Sequence, residues 1–311
     1  MKVLVIGGSG RIGQRIMEVL AVSGHEPIDF DILPPKKKFG FIKGTITDRN
    51  QVQSATKNVD AVIHLAAYPT ETSIPNYPEG WAINCTGTFN VFEAAVNNNV
   101  TRILYASSIC ASGILTCCSP HQFIEYFPVD EKHPARPENL YGISKLISEE
   151  LANMYALRSE TTFVGLRIAT VWFDQPEGGL AASTKQLIEK YVLDPSAIVN
   201  MKQECTPLNI NAAKDLAWQY VALSDVALAF KLALERGTIG SRVYNIGAAD
   251  TCSDWESLKL AKTFYPHVRI RNAPQFKRYP KKALWSISKA QKELNYKPEF
   301  NWQRILQELK R

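Results

Sequence analysis

The 311-residue sequence has few of the features that mark specialised proteins. Its six cysteines form no CxxC pair and have no spacing with histidine that would build a zinc site. No stretch of about 18 apolar residues is present to span a membrane. No arginine-rich block accompanies the net charge of +6, so a nucleic-acid partner is not implied. These absences leave an ordinary globular chain, 45% hydrophobic and 21% charged.

The cysteines and the N-terminal residues predict the compartment. Cys117 and Cys118 are adjacent in a predicted loop, where neighbouring cysteines rarely form an unstrained disulfide, so we interpret them as free thiols. The apolar run "KVLVIG" is too short for a signal peptide. We therefore expect a cytoplasmic protein that binds no metal, membrane or nucleic acid.

Apolar runs alternate with amphipathic segments through the first half of the chain. The runs predict strands at 2–7, 25–32, 60–67, 101–108, 161–169 and 242–248. The amphipathic segments predict helices at 10–24, 87–99, 144–159 and 224–237. Such alternation predicts right-handed crossovers and therefore an α/β fold with a doubly wound parallel sheet of the Rossmann type.

A glycine-rich turn follows the first predicted strand, in "VLVIGGSGRIG". Gly7, Gly10 and Gly13, with Arg11 and Ile12 between the last two, stand where a strand passes into a helix. Glycine lets the backbone approach a pyrophosphate, and the free N–H groups at the helix start attract phosphate charge. The spacing is GxxGxxG rather than the commoner GxGxxG, so the motif depends on its context.

The second predicted strand supplies an acid at its end. Asp31 lies about twenty residues after the glycines, where a carboxylate accepts hydrogen bonds from ribose hydroxyls and repels a 2′-phosphate. NAD is therefore favoured over NADP. Lys36, Lys37 and Lys38 are counter-evidence, because they would neutralise a phosphate if their loop folded back. Asp29 is the alternative acid, on the same strand face but not at the strand end.

The regular alternation of predicted strands and helices ends after residue 170. We predict that residues 1–171 form an NAD-binding domain, completed by about 216–248, and that 172–215 and 249–311 form a smaller C-terminal substrate-binding lobe. The segment 113–137 is long enough to be a lid over the substrate or an ornamented loop.

Tyr141 and Lys145 stand four residues apart in "ENLYGISKLISEE", so they lie on one face of a predicted helix. An ammonium beside a phenol favours the phenolate and lowers the phenol pKa towards the range of a general acid or base. The alternative interpretation of the pair is a solvated helix surface.

Several motifs together resemble the extended short-chain dehydrogenase/reductase family, in particular its NAD-dependent sugar epimerase/dehydratase branch. They occur in the family's order, and the resemblance covers most of the chain. The motifs are "GGSGRIG", "HLAA", "YASS", "YGISK", "INCTGTFNVFEAA", "WQYVALSDVALAFKLALE" and "ISKAQKELNYKP".

The resemblance implies catalytic roles for three residues. Tyr141 would exchange a proton with a substrate hydroxyl or carbonyl, and Lys145 would lower the tyrosine pKa and bind the nicotinamide ribose. Ser108 would hold the substrate oxygen. Ser107 is its neighbouring candidate, and a strand-end cap is the structural alternative for Ser108.

The resemblance also implies that Leu65, Ala66 and Ala67 line the cofactor with small residues. His64 receives no chemical role. Asn84 would hold a helix or loop in place, and an N-cap explains it nearly as well.

The substrate half departs from the family pattern. Thr45 and Ile46 stand where many family members have an aspartate, and "RIAT" supplies Thr170 where nucleotide-sugar enzymes commonly have asparagine. Thr170 and Arg278, the latter as a diphosphate contact, are the candidate substrate residues besides Ser108.

Three functions are compatible with these motifs. The leading hypothesis is an oxidoreductase that epimerises a nucleotide sugar through tightly held NAD, in the manner of a UDP-sugar 4-epimerase or dehydratase. The second is an NAD-dependent dehydrogenase of a free sugar or uronate, and the third is a non-catalytic dinucleotide sensor. The family further implies a homodimer formed through the helices at 87–99 and 144–159.

Overall fold

The structure, a computed structural model, describes residues 1–114, 123–173, 217–236 and 239–309. The strands are Lys2–Ile6 (β1), Glu26–Asp31 (β2), Gly40–Lys43 (β3), Ala61–His64 (β4), Arg102–Ser108 (β5), Tyr126–Phe127 (β6), Thr162–Ile168 (β7), Thr170–Trp172 (β8), Tyr220–Ala222 (β9), Ser241–Ile246 (β10) and Arg269–Ile270 (β11). The α-helices are Arg11–Val22 (α1), Arg49–Ala55 (α2), Tyr77–Trp81 (α3), Thr88–Asn97 (α4), Leu140–Ala156 (α5), Leu223–Glu235 (α6), Ser257–Phe264 (α7), Ala273–Arg278 (α8), Ser288–Leu294 (α9) and Trp302–Leu309 (α10). A π-helical segment, Ala82–Gly87, joins α3 to α4.

Within the described ranges, seven strands pair in parallel to form the central sheet, in the order β10-β7-β5-β4-β1-β2-β3. The chain builds outwards from β1 to β3 and then returns to place β4 on the other side of β1. The strand order therefore reverses between β1 and β4. In an open parallel sheet, such a reversal leaves a crevice at the carboxyl ends of the two strands, where ligands bind.

Helices cover both faces of the sheet, because successive residues of each strand point to opposite sides. Val3 and Val5 of β1 belong to the apolar core that also contains residues of α1 and α6. Leu4 and Ile6 belong to the core that contains residues of α2, α4 and α5. Burial on both faces explains why the central strands are almost entirely apolar.

The predicted fold class is confirmed, with two additions. The six predicted strands are all in the central sheet. The seventh strand, β3, and the helix α2 were not predicted, because "GFIK" is short and exposed and α2 has only two buried residues. The helix predicted at 144–159 begins earlier, at Leu140, where the Asn139 side chain accepts a hydrogen bond from Gly142 N and caps it.

The elements outside the central sheet are joined to it by short strand pairs and aromatic contacts. β8 pairs with β9, and β6 pairs with β11. The Trp172 ring stacks on Tyr220 at 4.5 Å between centroids and lies 5.5 Å from the Trp302 ring. The division into an NAD-binding domain and a substrate lobe stays a prediction, and 174–216 of that assignment lie outside the described residues.

The segment at 113–137 lies partly outside the described residues. Residues 115–122, which include Cys117 and Cys118, belong to the segment proposed as a lid or an ornamented loop, and the structure does not describe them. In the ranges that are described, no helix is long and apolar enough to cross a lipid bilayer.

The strand β3 forms one edge of the central sheet. All four of its residues are exposed, including the large apolar side chains of Phe41 and Ile42. Lys43 ends the strand, and the exposed Lys36 and Lys38 lie in the segment before it.

Candidate active site

The glycine-rich loop lies at the carboxyl end of β1, on one side of the crevice. Gly7 has φ +87°, a conformation that favours glycine, and a side chain there would place its Cβ 2.7 Å from Ala66 N. A Cβ on Gly13 would lie 2.3 Å from the carbonyl oxygen of Gly7. These two positions therefore require glycine for the loop to pack closely against β4 and against itself. Gly10 is exposed at the N-cap of α1, so the helix start is open to a ligand.

This geometry fits a dinucleotide. The N-cap residue Gly10 makes no side-chain hydrogen bond to the start of α1, so no cap side chain takes the first N–H groups that a pyrophosphate would need. Arg11 is exposed, with its guanidinium 3.3 Å from the centre of the Phe173 ring. Ile12 is partly buried and packs against the core instead. The roles of Gly7, Gly10, Arg11, Ile12 and Gly13 in binding the cofactor stay predictions.

Both acidic residues of β2 face this loop. Ser9 Oγ donates to Asp29 Oδ2 at 2.6 Å, and Ser9 N donates to Asp31 Oδ2 at 3.2 Å. Asp29 is fully buried, and burial raises its pKa, with the charge of Asp31 adding to the effect. Asp31 remains partly exposed at the strand end. Asp31 is thus the more accessible of the two carboxylates and Asp29 supports the loop from inside, while the role of Asp31 towards a ribose stays a prediction.

The lysines after β2 are spread along an exposed segment. Lys37 Nζ lies 2.7 Å from Glu18 Oε1 of α1, which holds this lysine in an ion pair. Lys37 is therefore already engaged by a carboxylate.

The segment after β4 closes the other side of the crevice. Leu65 N and Ala66 N both donate to the carbonyl oxygen of Ile6, at 2.8 and 3.1 Å. These bonds hold the start of "LAA" against the end of β1. Leu65, Ala66 and Ala67 therefore border the crevice next to the glycine-rich loop, and their contact with a cofactor stays a prediction.

Tyr141 and Ser108 meet at the carboxyl end of β5. The Ser108 side chain hydrogen-bonds to the Tyr141 phenol, and its Oγ also accepts from Cys110 N at 3.1 Å. Ser108 thus serves as the strand-end cap and as a partner of the tyrosine. Ser107 points elsewhere, because its Oγ donates to Glu149 Oε1 at 2.6 Å inside the protein.

Lys145 lies one helical turn after Tyr141, with Nζ 5.6 Å from the centre of the tyrosine ring. Its ammonium donates to the carbonyl oxygen of Ala106 at 2.9 Å. The lysine is buried, and burial lowers its pKa from 10.5 to about 8. This ammonium is therefore fixed near the phenol by the end of β5.

The expected lowering of the Tyr141 pKa by Lys145 is wrong for the protein in this state. Burial raises the Tyr141 pKa well above 10, and the nearby Cys110 adds to the rise, while the hydrogen bond from Ser108 opposes it. The physical reason is that burial penalises the phenolate, and the lysine, which is itself easily deprotonated here, does not offset that cost.

A buried ion pair anchors α5 to the sheet beneath the site. Arg167 of β7 makes two hydrogen bonds to Glu149, Nε to Oε1 at 2.8 Å and Nη2 to Oε2 at 2.7 Å. Ser107 donates to the same carboxylate. Since Glu149 follows Lys145 by one turn, this pair fixes the part of α5 that carries the lysine.

Asn84 lies within the π-helical segment, so its interpretation as an N-cap is wrong. Its side chain accepts from Tyr68 N at 2.8 Å and donates to Tyr68 O at 3.2 Å. It also donates to Ser144 Oγ at 3.3 Å. Asn84 therefore connects the segment after β4 to the residue next to Lys145, which agrees with the alternative that it holds a loop in place.

The other two candidate substrate residues, Thr170 and Arg278, are both exposed. Thr170 is exposed at the start of β8, just past the end of β7. Arg278 is exposed at the end of α8, with its guanidinium 5.4 Å from the centre of the Tyr279 ring. The roles of both residues stay predictions.

Sequence reasoning missed Glu71. Its Oε2 accepts from the backbone N of Tyr141 at 2.8 Å, and its side chain also hydrogen-bonds to the Tyr77 phenol. It therefore connects the segment after β4 to the start of α5. No local pattern indicates this contact, because Glu71 and Tyr141 are seventy residues apart and the segment around Glu71 has no periodic pattern.

Comparison with known proteins identifies the family. The model of the NAD dependent epimerase/dehydratase family matches residues 3–247. The chain therefore belongs to this family, which confirms the resemblance and, at the level of the family, the prediction of NAD as cofactor.

Individual relatives are similar at low identity. The UDP-glucose 4-epimerase of Streptococcus mutans is 27% identical, and the match covers 97% of this chain and 93% of the relative. The uronate dehydrogenase of Pseudomonas putida is 30% identical over 57% of this chain and 63% of the relative. The structure of UDP-glucose 4-epimerase from Brucella ovis in complex with NAD has a TM-score of 0.70 at 20% identity, covering 98% of this chain and 96% of that one. The last similarity bears on the fold alone.

Proposed function

We propose that the protein is an NAD-dependent oxidoreductase that epimerises a nucleotide sugar by hydride transfer, with Tyr141 as the acid and base. The observation that carries the proposal is the convergence of Ser108, Tyr141 and Lys145 at the carboxyl end of β5, beside the crevice between β1 and β4. A tyrosine hydrogen-bonded to a serine, with an ammonium 5.6 Å from its ring centre, forms a site for moving a proton to or from a hydroxyl.

The cofactor, when bound, accepts and returns hydride at the carbon that bears this hydroxyl. Tyr141, as the phenolate, takes the hydroxyl proton while the sugar is oxidised, and the phenol so formed gives the proton back to the ketone oxygen when the ketone is reduced. Ser108 orients the substrate oxygen through the same hydroxyl that meets Tyr141. Lys145 donates to the nicotinamide ribose and, as an ammonium, stabilises the phenolate that forms during the transfer.

The remaining cofactor contacts follow from the crevice. The loop from Gly7 to Gly13 holds the pyrophosphate at the start of α1, and Asp31 accepts from the ribose hydroxyls. Leu65, Ala66 and Ala67 line the opposite side.

The relatives support a nucleotide-sugar substrate. Thr170 opposes it, because nucleotide-sugar enzymes commonly have asparagine at this position. The Streptococcus mutans relative, which is aligned over nearly the whole chain, is a UDP-glucose 4-epimerase. A UDP-sugar is therefore the first candidate, with Thr170 and Arg278 as its contacts. The second candidate is a sugar acid, because the uronate dehydrogenase of Pseudomonas putida is 30% identical over 57% of this chain.

The test has two readouts. The purified protein is denatured and the released nucleotide is measured by absorbance and mass spectrometry. Separately, the native protein is incubated with UDP-glucose, or with glucuronate and added NAD, and UDP-galactose and NADH are quantified. Retained NAD with UDP-galactose formation supports the epimerase, whereas NADH formation from glucuronate supports the dehydrogenase.

The role of Tyr141 is tested by Tyr141→Phe, with Tyr279→Phe on the exposed surface as the matched control. Tyr141→Phe is expected to lower turnover at least about 100-fold, the usual range for removing a general acid or base, while NAD affinity stays within about twofold. Unchanged turnover would refute the role assigned to Tyr141, whereas the absence of turnover in the parent protein would favour the non-catalytic sensor.

The assembly and compartment remain proposals. We infer a homodimer through α4 and α5, because large apolar side chains are exposed on or next to these helices, at Trp81, Phe89 and Leu157. Light scattering coupled to gel filtration gives the mass in solution. A cytoplasmic location is inferred from the cysteine pattern and is tested by fractionation.

A further inference from the structure

His64, at the carboxyl end of β4, is a buried histidine to which the proposed reaction gives no role. It is 5% exposed, and its ring meets the Phe92 ring of α4 edge-on at 6.2 Å. Burial lowers its pKa to about 3, with the positive charge of Lys145 as the second cause. The imidazole is therefore neutral across the physiological pH range.

The hydrogen bonds around His64 define which ring nitrogen carries the proton. Thr88 Oγ1 donates its only hydrogen to the carbonyl oxygen of Asn84 at 2.7 Å. Thr88 Oγ1 also lies 3.0 Å from His64 Nε2. Because its own hydrogen is already used, Thr88 Oγ1 accepts a hydrogen bond from an Nε2–H group. In a neutral imidazole the other nitrogen, Nδ1, is then an acceptor.

His64 Nδ1 is an acceptor without a hydrogen-bond partner among the described residues, although it is buried. Nearly all buried polar atoms in proteins are hydrogen-bonded to protein or to ordered water, because an unsatisfied one is costly. Buried waters typically fill this need where several polar groups converge.

Lys145 is a cation near His64, since its positive charge acts on the imidazole. His64 lies beside Tyr105 in the register of β4 and β5, and the next residue, Ala106, accepts from Lys145 Nζ at 2.9 Å. α4, which carries Thr88, and α5, which carries Lys145, cover the same face of the sheet. An ammonium has three N–H donors, and Ala106 uses one of them.

We propose that His64 is a positioning residue for Lys145: a buried water accepts a hydrogen bond from the Lys145 ammonium and donates one to His64 Nδ1. The Thr88–Asn84 pair fixes the tautomer that keeps Nδ1 free to accept. The water then holds the ammonium charged and aimed at the ribose side of the site. The inference rests on the proposed role of Lys145 in catalysis.

Two amide variants separate the two ring nitrogens of His64. The amide nitrogen of Gln overlies Nε2, so His64→Gln keeps the donor to Thr88 and removes the acceptor at Nδ1. The amide oxygen of Asn reaches the Nδ1 position, so His64→Asn keeps the acceptor and removes the bond to Thr88. A purely structural histidine would be sensitive to the loss of either contact.

The measurement is the pKa of Lys145 by competitive acetylation with acetic anhydride across pH 6 to 11, read by mass spectrometry in the full-length protein. The groups that face Lys145 and titrate with it are Tyr141, Cys85 and Cys110, and all three are unchanged in both variants. We expect a Lys145 pKa near 8 in the parent protein, since burial lowers it to about 8. It should be lower by about half to one unit in His64→Gln and within about 0.2 units of the parent in His64→Asn, because hydrogen bonds to the charged form raise a lysine pKa.

An unchanged Lys145 pKa in His64→Gln overturns the inference, as does an equal shift in both variants. A thermal unfolding curve of each variant checks that both variants are folded before their Lys145 pKa values are compared. The labelling result is independent of turnover. A fully active Tyr141→Phe protein would therefore refute the proposed function without affecting this test. An unshifted Lys145 pKa in His64→Gln, in a protein whose parent is an active enzyme, would refute the role of His64 alone.

Discussion

Replacing Arg167 by methionine is expected to destabilise the protein more than any change to an exposed ion pair. The Arg167 and Glu149 side chains are 7% and 5% exposed and are joined by two short hydrogen bonds. Methionine fills much of the volume of arginine but removes the charge. Glu149 then remains buried with the hydroxyl of Ser107 as its principal donor.

Breaking a buried ion pair from one side costs about 3–5 kcal/mol, because the remaining charge has lost both water and its partner. The unfolding entropy of globular proteins is about 2.1 cal/mol/K per residue. For a chain of 311 residues this converts to a fall in Tm of roughly 5–8 °C. The exposed pair between Lys231 and Glu235 is the matched control, with 26% and 34% of the side chains exposed. Lys231→Ala should cost less than about 1 kcal/mol.

The assay is calorimetry or circular dichroism of the two single variants and of Arg167→Met combined with Glu149→Met. The double variant should recover most of the lost stability, since no charge is left unpaired in the interior. A Tm for Arg167→Met within a degree of Lys231→Ala, or a double variant that is less stable than Arg167→Met, would contradict the assignment of this pair as the anchor of α5.

Three further outcomes are expected. Gly13→Ala should weaken NAD binding at least about tenfold by calorimetry, since its Cβ would lie 2.3 Å from a backbone oxygen, whereas Gly40→Ala on the exposed edge strand should not. Asp31→Ser should reduce the preference for NAD over NADP roughly tenfold in binding assays, because the charge that repels a 2′-phosphate is gone; an unchanged ratio would assign that role elsewhere. Burial lowers the pKa of Lys145 from 10.5 to about 8, so between these pH values the unfolded chain binds the extra proton. The contribution of Lys145 to the free energy of unfolding should therefore rise with pH in this window, so denaturant titrations should give Lys145→Met a less positive or more negative pH slope than the parent protein.

The sequence predicted those parts of the fold that depend on local patterns. Buried strands read as apolar runs, and the turn from β1 to α1 is marked by closely spaced glycines, of which Gly13 packs against Gly7 and Gly8 of the same loop. β3 was missed because a four-residue exposed strand carries neither an apolar run nor a clear alternation. α2 was missed because its seven residues bury only Val52 and Ala55.

The candidate site was predicted where one helix face or one strand end determines it. Tyr141 and Lys145 share a helix face, and strand alternation separates Ser107 from Ser108. The contacts that hold this helix in place join residues far apart in the chain, as Glu71 meets Tyr141 and Glu149 meets Arg167. No local pattern encodes such pairs, because they form only when the sheet brings the elements together.

The open edge of the sheet at β3 has a consequence for handling the protein. An exposed strand with apolar side chains such as Phe41 and Ile42 is a template for pairing with the edge of another molecule. Lysines at Lys36, Lys38 and Lys43 oppose this by charge repulsion between identical edges. Such repulsion is screened over about 3 Å at 1 M salt, compared with about 10 Å at 0.1 M. Concentrated salt therefore removes the protection that keeps two sheet edges apart, and dilute buffers favour a well-dispersed solution.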